Sequence, residues 1–123
     1  MVERPLVQRG DIVFTDFSPA RETEANYQRP AIIVTNNQAN AVAPVVTVVP
    51  LTSNLERIYP MQVFLPSERT GLDRDSKAQV ELLQHVAISR LKHIIGYTPN
   101  DLMLELDKRI REHLALSTTK LKK

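Results

Sequence analysis

Short apolar runs separated by polar or turn-forming residues fill positions 11–97, and an apolar step of four residues replaces them after position 100. The first run, Asp11–Phe17 (DIVFTDF), is β-branched and aromatic and predicts a strand. Ala31–Thr35 (AIIVT) is continuously apolar, as expected of a strand buried on both faces. Asn36–Asn40 supplies turn residues, after which Val45–Thr52 (VVTVVPLT) resumes a strand. Pro50 has no amide to donate, which places it at a sheet edge or a bulge. Ser53–Pro60 reads as a polar loop, Met61–Leu65 as a brief strand, and Pro66–Arg74 as a further loop turning at Gly71. Ser76–Leu82 and His85–Ile88 predict two strands or one bent strand. Ser89 is placed to cap a helical turn at Arg90–His93, before a last strand at Ile94–Tyr97.

The closing segment follows helix rules. Thr98 can cap an amide, Pro99 suits a first turn, and Asp101 favours the positive end of the helix dipole. Leu102, Leu106, Ile110 and Leu114 then form one stripe, with Glu105/Arg109 and Asp107/Arg111 spaced to pair on the outer face. Ser117–Lys123 reads as a frayed basic tail. Short strands, polar loops and one closing helix predict a mainly β (α+β) fold: a small β-barrel with a short helical turn and a C-terminal helix. At 123 residues the chain fits a single domain, 1–123.

Composition narrows the chemistry only a little. Cysteine is absent, which excludes disulfides and thiolate metal sites and fits a reducing cytoplasm. No apolar run approaches the roughly 20 residues of a bilayer span, and Met1–Gly10 has no basic-then-apolar leader. The expected location is therefore cytoplasmic, with no membrane partner. A net charge of +2 and a pI near 9.1 permit nucleic-acid contact without demanding it. The most informative segment is the connection SPARETEANYQR, 12 residues from Ser18 to Arg29. Connections this long in small domains are usually functional or disordered. Pro30 biases Arg29 toward an extended backbone, so a polar loop ends by delivering a guanidinium to the start of a buried strand. A charge placed there suits an anionic ligand.

Several stretches together resemble the MazF/PemK (Kid-like) toxin family. They are Arg9-Gly10-Asp11-Ile12, Asp16-Phe17-Ser18-Pro19, and Glu24 five residues before Arg29-Pro30. Asn40, Pro50-Leu51-Thr52-Ser53, Gly71-Leu72-Asp73-Arg74-Asp75-Ser76, Arg90-Leu91 and Ile95-Gly96 continue the pattern in order. Each match is weak alone; as an ordered set they are specific. The resemblance implies an SH3-like barrel that dimerises and a metal-independent, cofactor-free endoribonuclease acting on single-stranded RNA. It also implies a cognate antitoxin whose disordered tail covers the groove and which alone carries the complex to operator DNA. The chain departs from the family pattern at Leu82, Gln84 and Ala87, which stand where relatives commonly carry glutamine, arginine and aspartate. These positions bear on the sequence cut. A topoisomerase-binding toxin and a non-cutting relative that binds antitoxin and DNA are the rival readings; the Arg29/Thr52 pair favours the nuclease.

The resemblance assigns Arg29 and Thr52 as the catalytic pair. Planar guanidinium donors match phosphate oxygens in pairs, which suits Arg29 to transition-state stabilisation and makes it an acid candidate. A guanidinium holds its proton very tightly, which makes proton transfer awkward. Thr52 is its hydrogen-bonding partner, and Glu24 orients Arg29, accepts a proton, or is a solvated loop acid. Ser18, Tyr27, Gln28, Ser53, Asn54, Asp75 and Ser76 are the RNA-binding candidates. Tyr27 has base stacking or packing as its alternatives, and Asp75 and Ser76 groove lining or turn support. His85 attracts notice as a base but has no family counterpart, so a strand-face position is expected; His93 and His113 fall in predicted helical segments and read as surface residues. No His, Asp or Glu spacing suggests a metal site.

Overall fold

The computed structural model describes residues 6–18 and 27–116. Within them seven strands form one strongly curled antiparallel sheet: β1 (Asp11–Asp16), β2 (Gln28–Ile33), β3 (Val45–Thr52), β4 (Val63–Leu65), β5 (Ser76–Ala78), β6 (Gln84–Ala87) and β7 (Leu91–Tyr97). The order is β4-β5-β3-β2-β1-β7, with β6 also pairing with β3, so the sheet curls into a half-barrel whose ends are β4 and β7. Three α-helices accompany it: α1 (Asn37–Val42), α2 (Ser67–Thr70) and α3 (Asn100–His113). The mainly β fold with a C-terminal helix is as expected. Glu24 and the tail Ser117–Lys123 lie outside the described residues.

The period-two pattern divides the apolar residues between two faces. Ile12, Ile32, Val49 and Leu51 join Val63, Leu65, Ala78 and Val80 in one core, which Leu102, Met103 and Leu106 of α3 cover. Val13, Ala31, Ile33, Val46, Val48, Val86 and Leu91 form a second core on the opposite face. Ala31–Ile33 of the run AIIVT therefore lie in a strand and are buried on both faces, while Val34 and Thr35 follow the strand and are half-buried. Full burial of a leucine such as Leu106 contributes about 1.5–3 kcal/mol, which is what holds α3 against the sheet. Leu114 ends its stripe 47% exposed, and Met103 is buried instead.

Several local expectations are overturned by long-range partners. Asn36–Asn40 is not a plain turn: Asn36 accepts the Ala39 amide at 2.9 Å and starts α1. Pro50 is not at an edge but inside β3, the central strand. Its carbonyl accepts the Gln79 amide at 2.9 Å, so its missing donor faces the gap where β3 changes partner from β6 to β5. The Pro66–Arg74 loop contains α2, ended by Gly71 in the left-handed region (φ 84°). Beyond β5 the chain makes a 3₁₀ turn at Val80–Leu82 rather than extending the strand, and the second helical turn sits at Ile88–Arg90. Residues 91–93 belong to β7, so His93 is on a strand.

Thr98 caps nothing. Its hydroxyl is buried without a partner among the described residues, and α3 starts after Pro99. The anticipated Glu105/Arg109 and Asp107/Arg111 pairs give way to Arg109–Glu112 at 2.8 Å and an Arg9–Asp107 ion pair. Arg9 also donates through Nε to the Val34 carbonyl at 2.9 Å, and its amide reaches Asn37 Oδ1 at 2.7 Å. Arg9 of the RGDI stretch thus ties the sheet to α1 and α3. Arg69 of α2 grips Asp101 at the start of α3 with two bonds, at 2.7 and 3.0 Å.

Candidate active site

A cleft of about 490 Å³ opens on the α3 side of the sheet. Its floor is apolar: Phe14, Pro30, Leu51, Leu72 and Ile95. Its rim is polar: Arg29, Thr52, Ser53, Asp73, Arg74, Ser76 and His93. Strand register explains the arrangement. Phe14 pairs with Pro30 on one side and with His93 on the other, so β2, β1 and β7 each contribute one residue across the cleft. Arg29 sits one position earlier on β2, opposite Thr15. Extending the Ala31–Pro50 register by two residues sets Thr52 beside Arg29, at the end of β3.

Arg29 is exposed, and its side chain has no hydrogen-bonding or ion-pair partner among the described residues. The Thr52 hydroxyl oxygen accepts the Asn54 amide at 3.2 Å. That bond occupies a lone pair and leaves the hydroxyl proton to be donated outward. Ser76 is buried and gives its hydroxyl to the Arg74 carbonyl at 3.1 Å, which fixes the backbone under Arg74. Asp73 is the one carboxylate that lines the cleft among the described residues, with Arg29 and Arg74 also on its rim.

The cleft therefore brings together Arg29, Thr52, Ser53 and Ser76. Other candidates lie elsewhere. Asn54 lines a smaller hollow of about 230 Å³ on the far side of Thr52, with Glu56, Arg57, Tyr59, Lys77 and Gln79. There Lys77 is buried and donates to the Arg57 carbonyl, and Tyr59 lies under both Arg57 and Lys77, 5.6 and 5.9 Å from its ring centre. Asp75 accepts the Ser67 amide at 2.8 Å and so holds the start of α2. Gln28 pairs with Asp16, and the exposed Tyr27 gives its carbonyl to the Phe17 amide at 2.8 Å.

Ser18 is buried beside a third hollow with Asp16, His85 and Arg90, away from the cleft. Arg90 donates to the carbonyls of Asp16 at 3.0 Å and Ser18 at 2.6 Å, anchoring the point where the long loop departs. Hydrogen bonds from the Ser18 hydroxyl and then its amide, with Arg90 nearby, hold the Asp16 carboxyl below the usual carboxylate range. His85 stands on β6 at this hollow. Among the described residues no three His, Cys, Asp or Glu side chains gather as a metal site would require, and no helix is long and apolar enough to cross a membrane.

Among the cleft residues to which the sequence assigned no site role are Phe14, Asp73, Arg74 and His93. Arg74 lay inside the GLDRDS stretch, which was a usable signal. His93 was obscured by the helical turn assigned to it.

A family model described as the PemK-like, MazF-like toxin of type II toxin–antitoxin systems matches residues 8–114. The chain is 44% identical over 116 residues to endoribonuclease MazF9 of Mycobacterium tuberculosis, covering 90% of this chain and 98% of that protein. It is 29% identical over 112 residues to endoribonuclease EndoA of Bacillus subtilis, covering 90% and 97%. Among solved structures, MazF of Deinococcus radiodurans superposes with a TM-score of 0.76 at 21% identity, over 91% of this chain and 99% of that one. An endoribonuclease in complex with its cognate antitoxin, from a mycobacterial species, superposes with a TM-score of 0.73 at 18% identity, over 93% and 98%.

Proposed function

The chain belongs to the PemK-like, MazF-like toxin family of type II toxin–antitoxin systems, and we propose that it is an endoribonuclease cutting single-stranded RNA through the substrate's own 2′-hydroxyl. One observation carries the reading: an exposed Arg29, without a partner among the described residues, stands beside an oriented Thr52 hydroxyl at the rim of an open cleft. The 2′-oxygen bonds to the adjacent phosphorus as the bond to the 5′-oxygen breaks. The 2′ proton passes to a base, and the leaving oxygen takes up a proton. The products are a 2′,3′-cyclic phosphate and a 5′-hydroxyl.

Charge accumulates on the phosphorane-like transition state, and Arg29 supplies planar donors for it. A preorganised donor of this kind is worth on the order of 3 kcal/mol. Thr52, its lone pair held by Asn54, gives its proton to the same phosphate. Arg74 adds a second cation on the facing rim. Glu24 is the proton acceptor candidate, and Arg29 the acid candidate. Ser53 and Ser76 line the RNA path at the cleft, and Tyr27, Gln28 and Asn54 extend it along the adjoining segments. No metal or cofactor takes part in this scheme.

The working form is a homodimer with self-complementary contacts, the groove drawing on loops of both copies. A cognate antitoxin neutralises it in the cytoplasm with an acidic, disordered tail laid over the cleft, and operator DNA is reached only through that antitoxin. Tail binding carries an ordering cost but wraps a long surface. The mycobacterial endoribonuclease whose structure is in complex with its cognate antitoxin supports such a partner.

The test is cleavage in EDTA. Purified protein should cut single-stranded RNA there and leave cyclic phosphate ends, while the same oligonucleotide with a 2′-deoxy sugar at the cut survives. Cleavage of the deoxy substrate, or strict dependence on magnesium, rules out this chemistry.

A further inference from the structure

The rim of the cleft is cationic or hydroxylic near Arg29 and Thr52, but its β7 wall is of another kind. His93 is an exposed residue on that wall, its ring centre 5.6 Å from that of Phe14 with the planes tilted by 39°. Phe14 in turn pairs with Pro30, the neighbour of Arg29. Two strand spacings, roughly 10 Å, thus separate the backbone at His93 from that at Pro30. That is the reach from a phosphate held at Arg29 to a base beside it on the same strand.

We infer that His93, backed by Phe14, is a stacking platform for the nucleobase of one nucleotide flanking the cut, and so a specificity-determining residue of the cleft. The inference rests on the endoribonuclease reading. Its physical basis is the chemistry of the wall. A flat ring steadied by a second ring and open to solvent offers a π-face to a base, and unpaired bases are held in this way by aromatic side chains and histidine. Arg29 and Arg74 neutralise the phosphates on either side of such a base, and the apolar floor of Leu72 and Ile95 completes a slot for it. A proton-transfer role is disfavoured by topology: β1 and β2 lie between His93 and Thr52, so His93 serves the neighbouring nucleotide and not the reacting phosphate.

The experiment uses a short RNA spanning a cut first mapped by sequencing the 5′ ends made on cellular RNA. Steady-state kinetics are compared for the wild-type protein, His93→Ala and His93→Phe, on the intact RNA and on versions with one abasic nucleotide at each position around the cut. His93→Ala should raise KM roughly tenfold with kcat little changed, while His93→Phe stays within about twofold of wild type. At one abasic position the wild-type protein should lose the same factor and His93→Ala should lose nothing more. Equal kinetics for His93→Ala and wild type overturn the platform. So does a kcat loss shared by His93→Ala and His93→Phe, which would make His93 a proton carrier, or a His93→Ala loss that persists at every abasic position. If the wild-type protein leaves all RNA intact, the endoribonuclease reading fails and this inference falls with it; cleavage by wild type with any of the preceding outcomes removes the platform alone.

Discussion

Gly96→Ala adds one methyl where the structure has no room for it. Gly96 lies on β7 opposite Ile12, with the end of α2 resting against its Cα face. A Cβ built there falls inside 3.0 Å of the Thr70 carbonyl oxygen, 3.4 Å from its carbonyl carbon and 3.5 Å from Ile12 Cδ1. The obstructing atoms are backbone, and that backbone is held. Thr70 donates its hydroxyl to the Pro66 carbonyl at 2.9 Å, Gly71 closes the turn, and Arg69 clamps α2 to Asp101. Overpacking of this sort costs about 1–3 kcal/mol. Alanine recovers about 0.4–1 kcal/mol by restricting the unfolded chain. Taking the middle of each range, the net is a loss of about 1.3 kcal/mol. For a domain of this size that lowers Tm by roughly 4–8 °C. Gly71 and Leu72, which line the cleft, must move with Thr70, so RNA cleavage should weaken at temperatures where the variant is still folded. Thermal unfolding followed by circular dichroism gives the first quantity, and initial cleavage rates well below Tm give the second. An unchanged or raised Tm would refute the close approach, and lowered Tm with wild-type cleavage would refute the coupling of α2 to the cleft.

Arg29→Ala should slow cleavage by roughly 10²-fold or more, and Thr52→Ala should also impair it, while His85→Ala costs little; the reverse pattern for His85 and Arg29 in single-turnover assays would move the chemistry to the other hollow. Asp16 has a folded pKa below its ordinary value of 3.8, so its contribution to stability is complete above that value and is lost as pH falls through the folded pKa. Asp16→Asn should therefore be less stable than wild type at neutral pH, with the gap closing under acid; denaturant titrations showing the same gap at all pH values would contradict this. Antitoxin inhibition should weaken as RNA substrate is raised at fixed antitoxin, and inhibition that stays constant would place the tail outside the cleft.

Much of the candidate site was legible before the fold was known, but unevenly. Arg29 and Thr52 stand in short ordered stretches, RP and PLTS, and the structure sets them side by side at the cleft. Ser53 and Ser76 were equally visible and share that cleft. Asp75, from the same GLDRDS stretch, instead supports the start of α2, because its neighbour in space is an amide eight residues back. Phe14 and His93 could not be joined from the sequence, since 79 positions separate them and only the β1–β7 register makes them a pair.

The sequence by itself determined what depends on nearest neighbours and periodicity. The bounds of Val45–Thr52, the double-sided burial of Ala31–Ile33 and the Leu102–Leu106 face of α3 follow from side-chain alternation and the helical repeat. Tertiary structure alone decided where a locally permitted feature finds a better distant partner. Pro50 occupies a central strand because the sheet leaves a gap opposite it. Asp107 turns to Arg9 rather than Arg111 because a partner on another element was brought within reach, and a nearby pair on an exposed helix face is worth only about 0.2–0.5 kcal/mol. His93 becomes part of a strand for the same reason: β1 offered its backbone a ladder that no short stretch of sequence could announce.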